Sequence, residues 1–77
     1  MPRRRQLLDR IGIADRIRQI RGFKMNQAQL GRLLGVTQTT VSKYEKGETL
    51  PTLDVLLKLS EIGGVSVDWI LKGGERK

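Results

Sequence analysis

Apolar residues along this chain recur at helical spacing, and no segment alternates as a half-buried strand would. Ile13, Ile17 and Ile20 make one stripe, with Asp15 in the first turn and Arg18 and Arg21 toward the end, where the helix dipole favours those charges. This predicts a first helix from Ile13 to near Gly22. Asn26 is placed to cap a second helix, with Gln29 three residues on in the capping-box position, and the helix runs to about Leu34. A third helix covers Gln38 to Lys46 and stops at Gly47. Pro51 and Thr52 then open a fourth, whose stripe is Leu53, Leu56, Leu57 and Leu59 or Ser60, closed by Gly63 and Gly64. Ser66 caps a last short helix holding Val67, Asp68, Trp69, Ile70 and Leu71. The expectation is an all-α, compact five-helix bundle spanning residues 13–72, preceded by a basic arm, residues 1–12, and followed by a frayed tail, residues 73–77.

The stretch from Gln27 to Lys46, QAQLGRLLGVTQTTVSKYEK, carries further constraints. With Gln27 as the first place, Leu30, Leu34, Val36, Val41 and Tyr44 fall on the inward positions of two short helices crossing at a steep angle. Gly31 lies where the second of these passes over the first, and a side chain larger than a methyl there would push the axes beyond their usual ~8 to 10 Å. Gly35 suits the left-handed residue that ends a helix. Thr37 restarts the chain by capping the next one. Any one of these features also fits an ordinary helical hairpin; their coincidence specifies a helix-turn-helix formed by the second and third helices.

Composition narrows the chemistry. Seventy-seven residues make one domain with a small core. Neither cysteine nor histidine is present, which removes disulfides, thiolate or imidazole metal sites and the commonest nucleophile-base pairs. No metal or cofactor is expected. No apolar run approaches the ~20 residues of a membrane span, and the start lacks the apolar core of a signal peptide, so a soluble, cytoplasmic protein is expected. Net charge is +7 and unevenly spread: residues 1–24 hold eight basic and two acidic residues, whereas residues 51–77 hold four of each. A polyanion is the natural partner, because neutralising phosphates releases condensed counterions. Membrane headgroups are less suited, since no long amphipathic helix with aromatic anchors backs the basic residues.

The run from Ile13 to Gly73, including MNQAQLGRLLGVTQTTVSKYEKGETLPTL and GVSVDWILKG, resembles the DNA-binding domains of lambdoid phage repressors and Cro proteins, the xenobiotic-response-element class. The resemblance covers about four fifths of the chain. It rests on Gln27 opening the second helix, on Ser42, Tyr44 and Glu45 in the third, on Gly47 and Pro51, and on Val65 to Trp69. Two departures stand out: the link from Gly22 to Met25 is a residue shorter than usual, and Gly31 replaces the more frequent alanine. The resemblance implies a lambda-repressor-like fold and a sequence-specific, usually dimeric regulator of transcription, more often a repressor, that lays its third helix in the major groove.

The residues themselves suggest the same division of labour. At 100° per residue, Gln38, Thr39, Ser42 and Lys43 share one arc of the third helix while Val41 and Tyr44 point the other way. Gln38 suits adenine, to which an amide offers paired donor and acceptor; Lys43 suits guanine or a phosphate; Thr39 combines a hydroxyl with a methyl for thymine; Ser42 completes the arc. Asn26, Gln27 and Thr37 stand at helix N-termini, where free N–H groups gather an anion, and are candidate phosphate contacts as well as caps. Lys46, Arg3, Arg4 and Arg5 are further phosphate candidates, although a basic arm is also simply a solvated tail. Glu45, acidic in this setting, is expected to turn inward to Arg21 or Arg18. Trp69 is expected in the core. Val67 and Ile70 are either ordinary core or an exposed two-fold contact in a homodimer, which would space two reading helices ~34 Å apart on a palindromic operator. A rival reading is an antitoxin-like protein-interaction module with secondary DNA binding; an enzyme finds no grouped nucleophile, base and oxyanion donor.

Overall fold

The computed structural model describes residues 9–74. Five helices follow one another: α1 (Arg10–Arg21), α2 (Gln27–Leu34), α3 (Gln38–Glu45), α4 (Leu53–Gly63) and α5 (Val67–Lys72). Among the described residues there is no strand, as the absence of any alternating segment led one to expect.

Each start is fixed by a side chain that accepts a bond from an otherwise unpartnered N–H of the first turn. Asn26, Thr37, Thr52 and Ser66 do this for α2 to α5, as the sequence indicates. At α2 the box is reciprocal: Asn26 Oδ1 accepts from Gln29 N at 2.8 Å, and Asn26 N donates to Gln29 Oε1 at 2.8 Å. The first helix departs from expectation. Asp9 caps it by accepting from Gly12 N at 3.1 Å, so α1 begins at Arg10, and residues 10–12, assigned to the arm by sequence, are helical. Of the tail expected to fray, only Gly73 and Gly74 are described.

The core gathers between α1, the α2–α3 pair and the α4–α5 pair. Ile13 and Ile17 of α1 meet Leu30 and Leu34 of α2, Val41 and Tyr44 of α3, and Leu59 and Ile70 from the C-terminal pair. Trp69 is buried with them, as expected. Two assignments need correction, one inward and one outward. On α4 the buried residues are Val55, Leu56 and Leu59, while Leu53 and Leu57 are 67% and 51% exposed. The helix has more leucines than inward places, and Val55 holds one of those places. On α5, Ile70 is completely buried against the core, so it is not available for a two-fold contact; Val67 is only partly buried.

Polar groups join the layers. Lys58 Nζ of α4 donates to the carbonyl of Leu34 at 3.4 Å, satisfying an acceptor at the end of α2. Arg16 of α1 does the same for α5, donating from Nε to Ile70 O at 2.7 Å and from Nη2 to Leu71 O at 3.2 Å, with its guanidinium 6.0 Å from the Trp69 ring centre. A cation over an indole face and next to a helix C-terminus is favoured on both counts.

Candidate nucleic-acid interface

The geometry of the α2–α3 corner begins with backbone. Gly35 takes φ 78, ψ 28, the left-handed conformation that ends α2, and its N–H returns to the Gly31 carbonyl. Gly31 sits against the next turn so closely that a Cβ would stand 2.7 Å from Val36 O and 3.3 Å from Thr37 O. The crossing is therefore tighter than the sequence suggests: a methyl is already too large without backbone movement. Backbone rather than side chain sets the approach of α3.

Beneath α3, Val41 and Tyr44 are buried in the core, and burial raises the Tyr44 phenol above its ordinary pKa of 10.0 by desolvating the anion. Glu45 is 4% exposed and fully engaged. Arg21 grips it with two bonds, Nε to Oε2 at 2.7 Å and Nη2 to Oε1 at 3.0 Å, and Arg18 Nη1 donates to its backbone carbonyl. The Glu45 hydrogen bonds and charge hold the Arg21 guanidinium above even its usual high range, against the opposing effect of burial. Both arginines offered by sequence as partners for Glu45 thus contribute, one to the carboxylate and one to the carbonyl. The shortened link between α1 and α2 does not prevent this, because Arg21 Nη1 also donates to Met25 O at 3.3 Å and ties the link down.

A third donor to Glu45 was not anticipated. Gln27 Nε2 reaches Oε1 at 3.0 Å, so the first residue of α2 is fastened to the last residue of α3. The pair lies eighteen residues apart, and no helical period connects them; only the crossing angle brings them together. The side chain keeps a second amide hydrogen beyond the one given to Glu45.

Above α3 the picture reverses. Gln38, Thr39 and Lys43 are exposed and Ser42 is partly buried, all on the side away from Val41 and Tyr44. Within α3 the sole acid is Glu45, which is turned inward and paired, so the outer surface presents amide, hydroxyl and ammonium groups without a carboxylate. Lys46, exposed, forms the C-cap. At the other end Thr37 is more committed than expected: Oγ1 accepts from Thr40 N at 3.1 Å and donates to Thr40 Oγ1 at 3.0 Å. Its hydroxyl proton is already used, so an anion there would meet the free N–H groups of the first turn rather than the threonine side chain. Asn26 is likewise a cap through its oxygen, with its Nδ2 hydrogens untaken among the described residues. Arg3, Arg4 and Arg5 lie outside the described residues. The structure thus brings Asn26, Gln27, Thr37, Gln38, Thr39, Ser42, Lys43 and Lys46 into one two-helix unit and leaves Ile70 on the far side in the core.

No helix among the described residues is long and apolar enough to cross a membrane, and no group of acidic residues there is arranged to hold a metal ion.

A family model described as helix-turn-helix matches residues 17–70. A SPbeta prophage-derived HTH-type transcriptional regulator of Bacillus subtilis, YonR, is 42% identical over 77% of this chain and 56% of its own. Repressor protein C2 of Salmonella phage P22 is 40% identical over 79% of this chain and 29% of its own. The crystal structure of that repressor in complex with a synthetic operator superposes with a TM-score of 0.74 at 40% identity, covering 80% of this chain and 96% of that one. Hydroxypropylphosphonic acid epoxidase from S. wedmorenis contains a similar unit, with a TM-score of 0.70 at 31% identity, over 86% of this chain but only 36% of the enzyme. The chain spans 56% and 29% of the length of these two curated relatives.

Proposed function

The chain belongs to the helix-turn-helix family of DNA-binding transcriptional regulators, in the xenobiotic-response-element class that includes phage repressors, and we propose that it binds a specific double-stranded operator as a homodimeric repressor, with α3 in the major groove. The observation that carries this reading is the outer surface of α3, where Gln38, Thr39, Ser42 and Lys43 stand together above the buried Val41 and Tyr44. These four read base edges, Gln38 through a paired contact to adenine and Thr39 through a thymine methyl.

Backbone contacts set the register of that helix. Gln27, steadied by Glu45, turns its remaining amide hydrogen to a phosphate, and Asn26 Nδ2 and the open N–H groups after Thr37 receive neighbouring oxygens. Lys46, together with Arg3, Arg4 and Arg5 of the preceding arm, adds charge along the strand. Val67, the partly buried apolar residue of α5, contributes to the two-fold contact, which Ile70 does not. The C2 repressor, seen on a synthetic operator, supports the reading through its 40% identity to this chain.

Selection from random duplexes tests it. Recovery of a palindrome with half-sites about one helical turn apart supports a dimeric operator-binding protein. A single non-repeated site would overturn the dimer, and no enrichment at all would overturn sequence-specific binding and favour a protein-interaction role.

A further inference from the structure

The chain has one phenylalanine, one tyrosine and one tryptophan. Tyr44 and Trp69 are buried, whereas Phe23 is fully exposed at the turn between α1 and α2. The turn is held rather than loose. Gly22 N donates to Arg18 O at 2.9 Å, Arg21 Nη1 donates to Met25 O, and the Asn26–Gln29 box fixes the far side. Met25 fills the place against the core that an apolar residue of this turn would take, which leaves Phe23 no intramolecular cover. A ring of this size displayed on a fixed turn is a contact surface waiting for a partner.

The neighbours specify the partner's chemistry. Lys24 follows Phe23, is exposed, and has no ion pair among the described residues. Three residues beyond Phe23 stands Asn26, at the positive end of α2, and Gln27 next to it is bonded to Glu45, so this turn lies beside the C-terminal end of α3 and its Lys46 cap. An apolar ring followed by an exposed cation, on the turn that leads into a helix start, matches a surface that alternates carbon and phosphate, which is the sugar–phosphate strand. An apolar protein groove would cover the ring but strand Lys24 and the α2 terminus.

We propose that Phe23 packs against deoxyribose on the strand bordering the groove that α3 enters, with Lys24 on the adjoining phosphate. This rests on the DNA-binding reading above and extends the interface outside the base-reading surface to a sequence-independent apolar contact.

The test measures affinity for the selected operator and for a scrambled duplex across a salt series, with wild type, Phe23→Ala and Lys24→Ala. Phe23→Ala is expected to weaken both duplexes about tenfold and to leave the salt slope unchanged, since an apolar contact releases no counterion. Lys24→Ala is expected to flatten the slope by ~1. A fluorinated phenylalanine at the single Phe position should shift its fluorine resonance on addition of either duplex. Thermal melting of Phe23→Ala should match wild type, as nothing within the chain covers the ring. Phe23→Ala binding as tightly as wild type would overturn the contact while leaving the DNA-binding reading intact. A loss confined to the operator would also overturn it, as would a resonance that moves with protein concentration in the absence of DNA, which would mark a second copy as the partner. Wild type that binds neither duplex would overturn both readings.

Discussion

The two sides of α3 are built from opposite principles. Underneath, the apolar groups are packed and the charge is paired: Val41 and Tyr44 are in the core, and Glu45 receives Arg21 twice and Gln27 once while its carbonyl takes Arg18. On top, Gln38, Thr39 and Lys43 are exposed, and among the described residues their side chains have no hydrogen-bond or ion-pair partner. A buried charge tolerates no missing partner, whereas a solvated amide loses nothing by waiting. The contrast separates the groups that the fold uses from those it leaves to solvent, on a helix only eight residues long.

Substitutions underneath should change stability with or without DNA, and those on top should change binding alone. The largest effect is expected from Arg21→Ala, which leaves the Glu45 carboxylate buried without its main counter-charge and should cost about 4 kcal/mol in urea unfolding. For a domain of this size that is a large share of the total. Gly31→Val should follow, at about 3 kcal/mol, because its Cβ alone already meets the Val36 and Thr37 carbonyls rather than a movable side chain; an unchanged melting temperature would mean that the crossing is not set by backbone contact. Gln38→Ala belongs to the other side: ~1 to 3 kcal/mol lost on the preferred base pair, with the unfolding curve superimposed on wild type. Equal losses on every duplex would contradict base readout.

Smaller effects sharpen the boundary. Lys46→Ala should weaken all duplexes alike and flatten the salt dependence by ~1 unit of slope, without altering stability. Tyr44 offers a pH probe of the underside. Its folded-state pKa is raised, so the folded form holds the phenolic proton more tightly than the unfolded form; the resulting stability is intact below 10.0, the unfolded value, and is lost as pH climbs through the higher folded value. Tyrosinate absorbance of the single tyrosine should therefore appear later than in the unfolded chain, and Tyr44→Phe should remove this part of the alkaline loss of stability.

Much of this arrangement is legible in the residues because it is local. Asn26 with Gln29, Thr37, Thr52 and Ser66 announce helix starts by chemistry that acts over three residues, and Gly35 announces a stop by a backbone angle. Glu45 is legible for a different reason: an acid on a helix expected to face DNA is better placed turned inward to an arginine of the first helix. What escaped is where local rules are silent or degenerate. Asp9 caps α1 without a glutamate or glutamine three residues on; Gly12 stands there instead, and the cap looked like part of a basic arm. In LDVLLKL the leucines outnumber the inward places, so Val55 was hidden and Leu53 and Leu57 were misassigned. The six residues of α5 give too few turns for a stripe, which left Ile70 and Val67 indistinguishable until packing separated them. The bond from Gln27 to Glu45 depends on a crossing angle that no sequence period encodes.

The contact between Gly31 and the Val36–Thr37 backbone has a consequence for how such a protein diversifies. Peptide atoms set the tilt of α3, and peptide atoms are the same in every sequence, so the display surface can be rewritten at Gln38, Thr39, Ser42 and Lys43 without re-tuning the mount beneath. On the reading proposed above, a change of operator preference would need only a few substitutions on that surface, whereas a side chain at the glycine would shift the backbone that carries α3.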